Sequence, residues 1–75
     1  MQQSTLDNMN TTSEIGIIIR TRRKLLKLTQ DELAEISGIS LRSLKAIELG
    51  KGNPTISQLN KVLDAIGLKI QIGIK

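Results

Sequence analysis

Apolar residues recur along this chain at two periods, and the change from one to the other divides it. From Ile15 to Ile66 they return every three or four positions, as in amphipathic helices. From Leu68 onward they alternate strictly, as in a half-buried strand: Leu68, Ile70, Ile72 and Ile74 against Lys69, Gln71, Gly73 and Lys75. Capping residues punctuate the helical part. Thr11 with Glu14, Thr29 with Glu32 and Thr55 with Gln58 each have the capping-box pattern, in which a hydroxyl accepts from a backbone N–H three residues on and the later side chain reaches back. They predict helices starting near Thr12 or Ser13, at Gln30 and at Ile56, while Ser40 caps another in between.

The first helix is expected to have an apolar face of Ile15, Ile18, Ile19 and Leu26, with Leu25 and Leu28 near its end. The second should draw its apolar contacts from Leu33, Ala34 and Ile36 and turn Asp31, Glu32 and Glu35 to water, the acidic first turn suiting the positive end of the helix dipole. Gly38 then stands where a chain leaving a helix needs a left-handed residue, with Ile39 inside the turn. The third helix buries Leu44 and Ile47 and sends Arg42 and Lys45 outward. After the turn-rich stretch from Leu49 to Pro54, the fourth lines Ile56, Leu59, Val62, Leu63 and Ile66 along one side, and Gly67 ends it. The polar, aperiodic residues 1–12 read as a mobile tail, 13–67 as one helical domain and 68–75 as a strand. A lone strand cannot satisfy its own backbone hydrogen bonds. Its simplest partner is the same strand of a second copy, antiparallel across a two-fold axis; a strand folded back on the N-terminal tail is the alternative.

Composition narrows the chemistry. The chain has 75 residues, neither cysteine nor histidine, and no aromatic side chain. Disulfides and the usual zinc and haem sites are therefore not expected, nor is single-stranded nucleic-acid binding by base stacking. Neither a nucleotide-binding loop nor a G-x-S-x-G elbow is present, so no catalytic residue, metal or cofactor is expected and the chain does not read as an enzyme. No apolar run is long enough for a membrane span and the start does not resemble a signal peptide, which points to a cytoplasmic protein. The formal net charge is +4, and Arg20, Arg22, Arg23, Lys24 and Lys27 all fall in the first helix. That clustering suits a polyanionic partner.

The stretch TQDELAEISGISLRSLKAIELG, Thr29 to Gly50, resembles the DNA-binding core of the Xre and lambda-repressor-like helix-turn-helix family. Basic IGIIIRTRRKLLKL before it, and GKGNPT with ISQLNKVLDAIG after it, resemble the family's first helix and closing elements. The resemblance implies a mainly α, four-helix lambda-repressor-like domain, here followed by a C-terminal β-strand pairing across a homodimer. The strand makes the whole most similar to the HipB-type antitoxins, which repress their own operon and bind a HipA-type kinase toxin. A free-standing phage-type repressor or a restriction–modification controller is the other reading.

Carried onto this chain, the resemblance puts base contacts at Ser40, Leu41, Arg42 and Lys45, with Ala46 beside them; for Leu41 simple packing serves equally well. It also pairs Arg23 with Glu48, tying the first helix to the third. Phosphate contacts are expected from Gln30, Ser43, Lys51, the backbone around Asn53, and one or more of Arg20, Arg22 and Lys24. The target is an inverted-repeat operator in double-stranded DNA.

Overall fold

The computed structural model describes residues 3–72 and 74, with side chains from Thr11 onward. Among the described residues four helices follow one another: α1 (Gln3–Leu25), α2 (Gln30–Ser37), α3 (Leu41–Glu48) and α4 (Ile56–Ala65). The capping residues read from the sequence start three of them. Thr29 and Thr55 form complete capping boxes with Glu32 and Gln58, and the Ser40 hydroxyl accepts from the Ser43 N–H at 3.0 Å.

α1 departs from expectation. It begins at Gln3, so Thr11 and Thr12 lie inside the helix and not at its start. The capping-box pattern there does not stop it: from Gln3 to Ile15 the chain has no glycine or proline, and a nucleated helix adds residues at little cost.

α1 packs on α3, and α2 on both α3 and α4. Their shared core is wholly aliphatic: Ile19, Leu33, Ala34, Leu44, Ile47, Leu59, Val62, Leu63 and Ile66. Ile15, Leu28, Ile39, Leu41, Leu68 and Ile70 lean against it from the rim. Several expected core positions are exposed instead. On α1 the inward face runs Ile15, Gly16, Ile19, Arg23, leaving Ile18, Leu25 and Leu26 outside. On α2 the buried row is Leu33, Ala34 and Ser37, one step round from Ile36, and Ser37 is accommodated by donating to the Ala34 carbonyl at 3.3 Å. Ile56, the first residue of α4, precedes the turn that reaches the core.

The end of α1 is closed by two backbone bonds, Lys27 N–H to Lys24 O and Leu28 N–H to Arg23 O, with Lys27 left-handed at φ 59°. Such a conformation costs an L-residue about 1 kcal/mol, and glycine avoids it. Lys27→Gly is therefore expected to raise stability by about 1 kcal/mol, read as a higher urea midpoint; a lower midpoint would contradict this account of the turn.

No strand is present among the described residues. After Gly67 the chain from Leu68 to Ile72 has no regular secondary structure. Among the described residues the expected strand is thus not seen in the single chain, and they offer no second strand to complete a ladder. Leu68 and Ile70 are partly buried against the core, whereas Ile72 and Ile74 are 93% and 101% exposed. Gly73 and Lys75, also in the expected strand, lie outside the described residues.

Candidate nucleic-acid interface

α3 is presented by the turn before it. Gly38, at φ 77°, closes α2 and lets the chain reverse; with none of the described residues near its missing Cβ, it is the backbone angle that demands glycine there. Leu44 and Ile47 then anchor α3 in the core, 0% and 2% exposed. At 100° per residue this orientation places Arg42, Lys45 and Ala46 on the opposite, outward face, with Leu41 and Ser43 at its edges.

Two open clefts flank that face. One runs between α3 and α1, lined by Arg20, Lys24, Gln30 and Lys45 over the Arg23–Glu48 pair. The other lies between α3 and the following loop, lined by Arg42, Ser43, Ala46, Lys51, Gly52 and Asn53. Arg20, Lys24, Arg42, Lys45 and Lys51 are all exposed, and among the described residues the one carboxylate lining either cleft, Glu48, is buried and paired. Both sides of α3 are therefore positive, as a polyanion straddling the helix requires.

The structure brings Arg23 and Glu48 together beneath the first cleft. The guanidinium donates to both carboxylate oxygens, from Nε at 2.7 Å and from Nη2 at 3.0 Å, and Nη1 donates to the Leu28 carbonyl at 2.8 Å. Arg23 is 8% exposed and Glu48 6%. Gln30 completes the group, its side-chain amide donating to Glu48 Oε1 at 3.0 Å. One buried carboxylate thus joins α1, the start of α2 and the end of α3.

Other expected contact residues are placed differently. Arg22 does not share a face with Arg20: two residues apart on a helix is about 200° of rotation, and its Nε donates to the Ile66 carbonyl at 2.9 Å. It secures the end of α4 and lies away from both clefts. Gln30 sits at the first cleft with its amide engaged by Glu48, but its backbone N–H, at the first position of α2, has no intrahelical partner to occupy it. The Ser40 hydroxyl is occupied by Ser43, accepting from its N–H and lying 2.9 Å from its Oγ. Leu41 is partly buried against the core, which makes packing at least part of its role.

Gly16 and Gly50 were not singled out as contacts by the sequence. A Cβ on Gly16 would lie 2.4 Å from the Ile47 carbonyl oxygen and 2.8 Å from that of Glu48, so α1 meets the end of α3 backbone to backbone. A Cβ on Gly50 would lie 2.7 Å from Ser13 Cα. For Gly16 the available signal is a glycine inside a helical pattern, which usually has a packing reason; Gly50, at φ 72°, lies in the turn after α3.

Residues 19–72 match the family described as Helix-turn-helix, a span that takes in all of α2, α3 and α4. The chain belongs to this helix-turn-helix family. An HTH-type transcriptional regulator of Sinorhizobium fredii is 38% identical over 64 residues, covering 85% of this chain and 84% of that protein. The transcriptional repressor RstR of the cryptic phage CTXphi in Vibrio cholerae is 40% identical over 52 residues, 69% of this chain and 46% of the repressor. The immunity repressor of Bacillus phage phi105 is 39% identical over 56 residues, 75% of this chain and 39% of that one. The chain therefore spans most of the first relative and less than half of each phage repressor. These relatives are transcriptional regulators or repressors by name. Among the described residues no helix is long and apolar enough to cross a membrane, and no cluster of acidic side chains could hold a metal.

Proposed function

We propose that this protein is a sequence-specific double-stranded DNA-binding transcriptional repressor that acts as a homodimer on an inverted-repeat operator. The observation that carries the reading is the outward face of α3, Arg42, Lys45 and Ala46, standing between two cation-lined clefts. With α3 in a major groove, Arg42 and Lys45 can donate to guanine O6 and N7, and Ala46 offers apolar contact to a thymine methyl. Arg20 and Lys24 on one side, and Lys51 with the backbone around Asn53 on the other, reach the phosphates that border the groove; Ser43 and the Gln30 N–H add neutral donors. Two copies would set their recognition helices about 34 Å apart, one helical turn of DNA.

The two kinds of contact separate in an experiment. Arg42→Ala should cost about 1–3 kcal/mol on the best operator and flatten preference at one base pair. Lys51→Ala should weaken all duplexes alike and lower the salt slope by about one unit. Equal losses on operator and random duplex for both variants would remove the division of labour.

The alternating C-terminal segment supports a finer reading, an antitoxin that pairs through that segment, autoregulates a toxin–antitoxin operon and binds a HipA-type kinase. The likeness to two phage repressors favours a second, a free-standing repressor without a toxin. Recovery of genomic fragments bound at moderate salt distinguishes them. An inverted repeat upstream of this protein's own gene, beside a kinase-like gene, supports the first; an operator in a phage-like regulatory region supports the second. Absence of any enriched duplex would count against DNA binding altogether.

A further inference from the structure

α1 carries an exposed aliphatic row that neither the core nor the clefts use. Ile18 and Leu25, seven residues apart and so on one side of the helix, are 52% and 69% exposed, and Leu26 flanks them near the helix end. On helical geometry Ile18 and Leu25 lie more than 90° round α1 from Arg20 and Lys24, so they can be covered while the basic side holds DNA.

The C-terminal segment leaves the body beside this row. Arg22 lies one turn from Ile18 and one turn from Leu26, and donates to the Ile66 carbonyl, the last residue before Gly67. A Cβ on Gly67 would sit 3.4 Å from the same guanidinium. From there Leu68 and Ile70 find cover on their own core, but Ile72 and Ile74, which continue the alternation, find none. Row and segment are thus neighbours in one chain, both apolar and both uncovered. A reciprocal exchange between two copies covers both at once, as an isologous two-fold contact requires. Reach is sufficient: beyond Ile70 four extended residues span roughly 13 Å, against roughly 10 Å of helix from Ile18 to Leu25.

We infer that the Ile18–Leu25–Leu26 row of α1 is the seat for Ile72 and Ile74 of a second copy's C-terminal segment. The inference rests on the homodimer reading and adds a surface to it. Arg22 becomes the residue that aims the segment at its seat.

The chain has no cysteine, so introduced thiols report position directly. Ile18→Cys and Ile72→Cys chains, mixed and oxidised with oxidised glutathione, should give the mixed disulfide dimer. Ile36→Cys, on the exposed side of α2, mixed with Ile72→Cys should give at least tenfold less. In parallel, Leu25→Lys should raise the dimer dissociation constant at least tenfold in sedimentation equilibrium with an unchanged helical circular dichroism spectrum. A wild-type protein that sediments as a monomer overturns both the homodimer reading and the inference. A wild-type dimer that gives no Ile18→Cys/Ile72→Cys product, or gives as much with Ile36→Cys, overturns the inference alone.

Discussion

Glu48→Ala is expected to cost about 3–5 kcal/mol, because it leaves the Arg23 guanidinium buried with only the Leu28 carbonyl for company. A chain of this length has a total stability of about 4–11 kcal/mol, at roughly 0.05–0.15 kcal/mol per residue. The loss would therefore be a large part of it, a fall in Tm on the order of 20 °C. The cost comes from the orphaned charge and not from the pair as such. Arg23→Met combined with Glu48→Leu, which removes both charges and keeps apolar bulk, should recover much of the loss. Thermal melts of the single and double variants decide the matter. A single variant that melts with the wild type would mean that the pair is solvated in solution, where such pairs are worth about 0–1 kcal/mol.

Gly16→Ala should destabilise as well, against the ordinary preference of helices. Alanine favours a helix interior over glycine by about 1 kcal/mol. Here its methyl group would press on two main-chain carbonyls of α3, at 2.4 and 2.8 Å, where no side-chain rotation can relieve the overlap. Overpacking costs about 1–3 kcal/mol, and a backbone clash falls at the upper end, so the net loss is about 2 kcal/mol. Urea unfolding with an unchanged slope and a lower midpoint is the expected record. A midpoint equal to or above wild type would show that α1 can shift off α3 freely.

What could be read in advance depended on whether the information was local. The caps of α2, α3 and α4 were legible because a hydroxyl and an N–H three residues away decide them. Leu44 and Ile47 were legible because a short helix with two apolar residues three apart has one way to lie down. Ile36 and Ile18 misled, since periodicity gives the direction of burial only to within about one residue's rotation, and Ser37 and Arg23 occupied the inner positions with hydrogen bonds of their own. Arg22 and Arg20 belong to one basic cluster in sequence but stand about 200° apart on the helix, and the bond from Arg22 to Ile66, 44 residues away, has no local signal. The same holds for Gly16, whose neighbours are the carbonyls of Ile47 and Glu48. The start of α1 failed differently: a capping pattern marks where a helix can begin, not where it must.

The backbone contact at Gly16 and the buried pair beneath it make α1 and α3 a single rigid jaw. On the proposed reading, in which Arg20 and Lys24 hold phosphates while Arg42 and Lys45 meet bases, the distance between grip and probe cannot adjust to the duplex. The duplex must adjust to it. Sequences whose grooves already have the matching width are then favoured at positions no side chain touches, and part of the operator's identity is written in its stiffness.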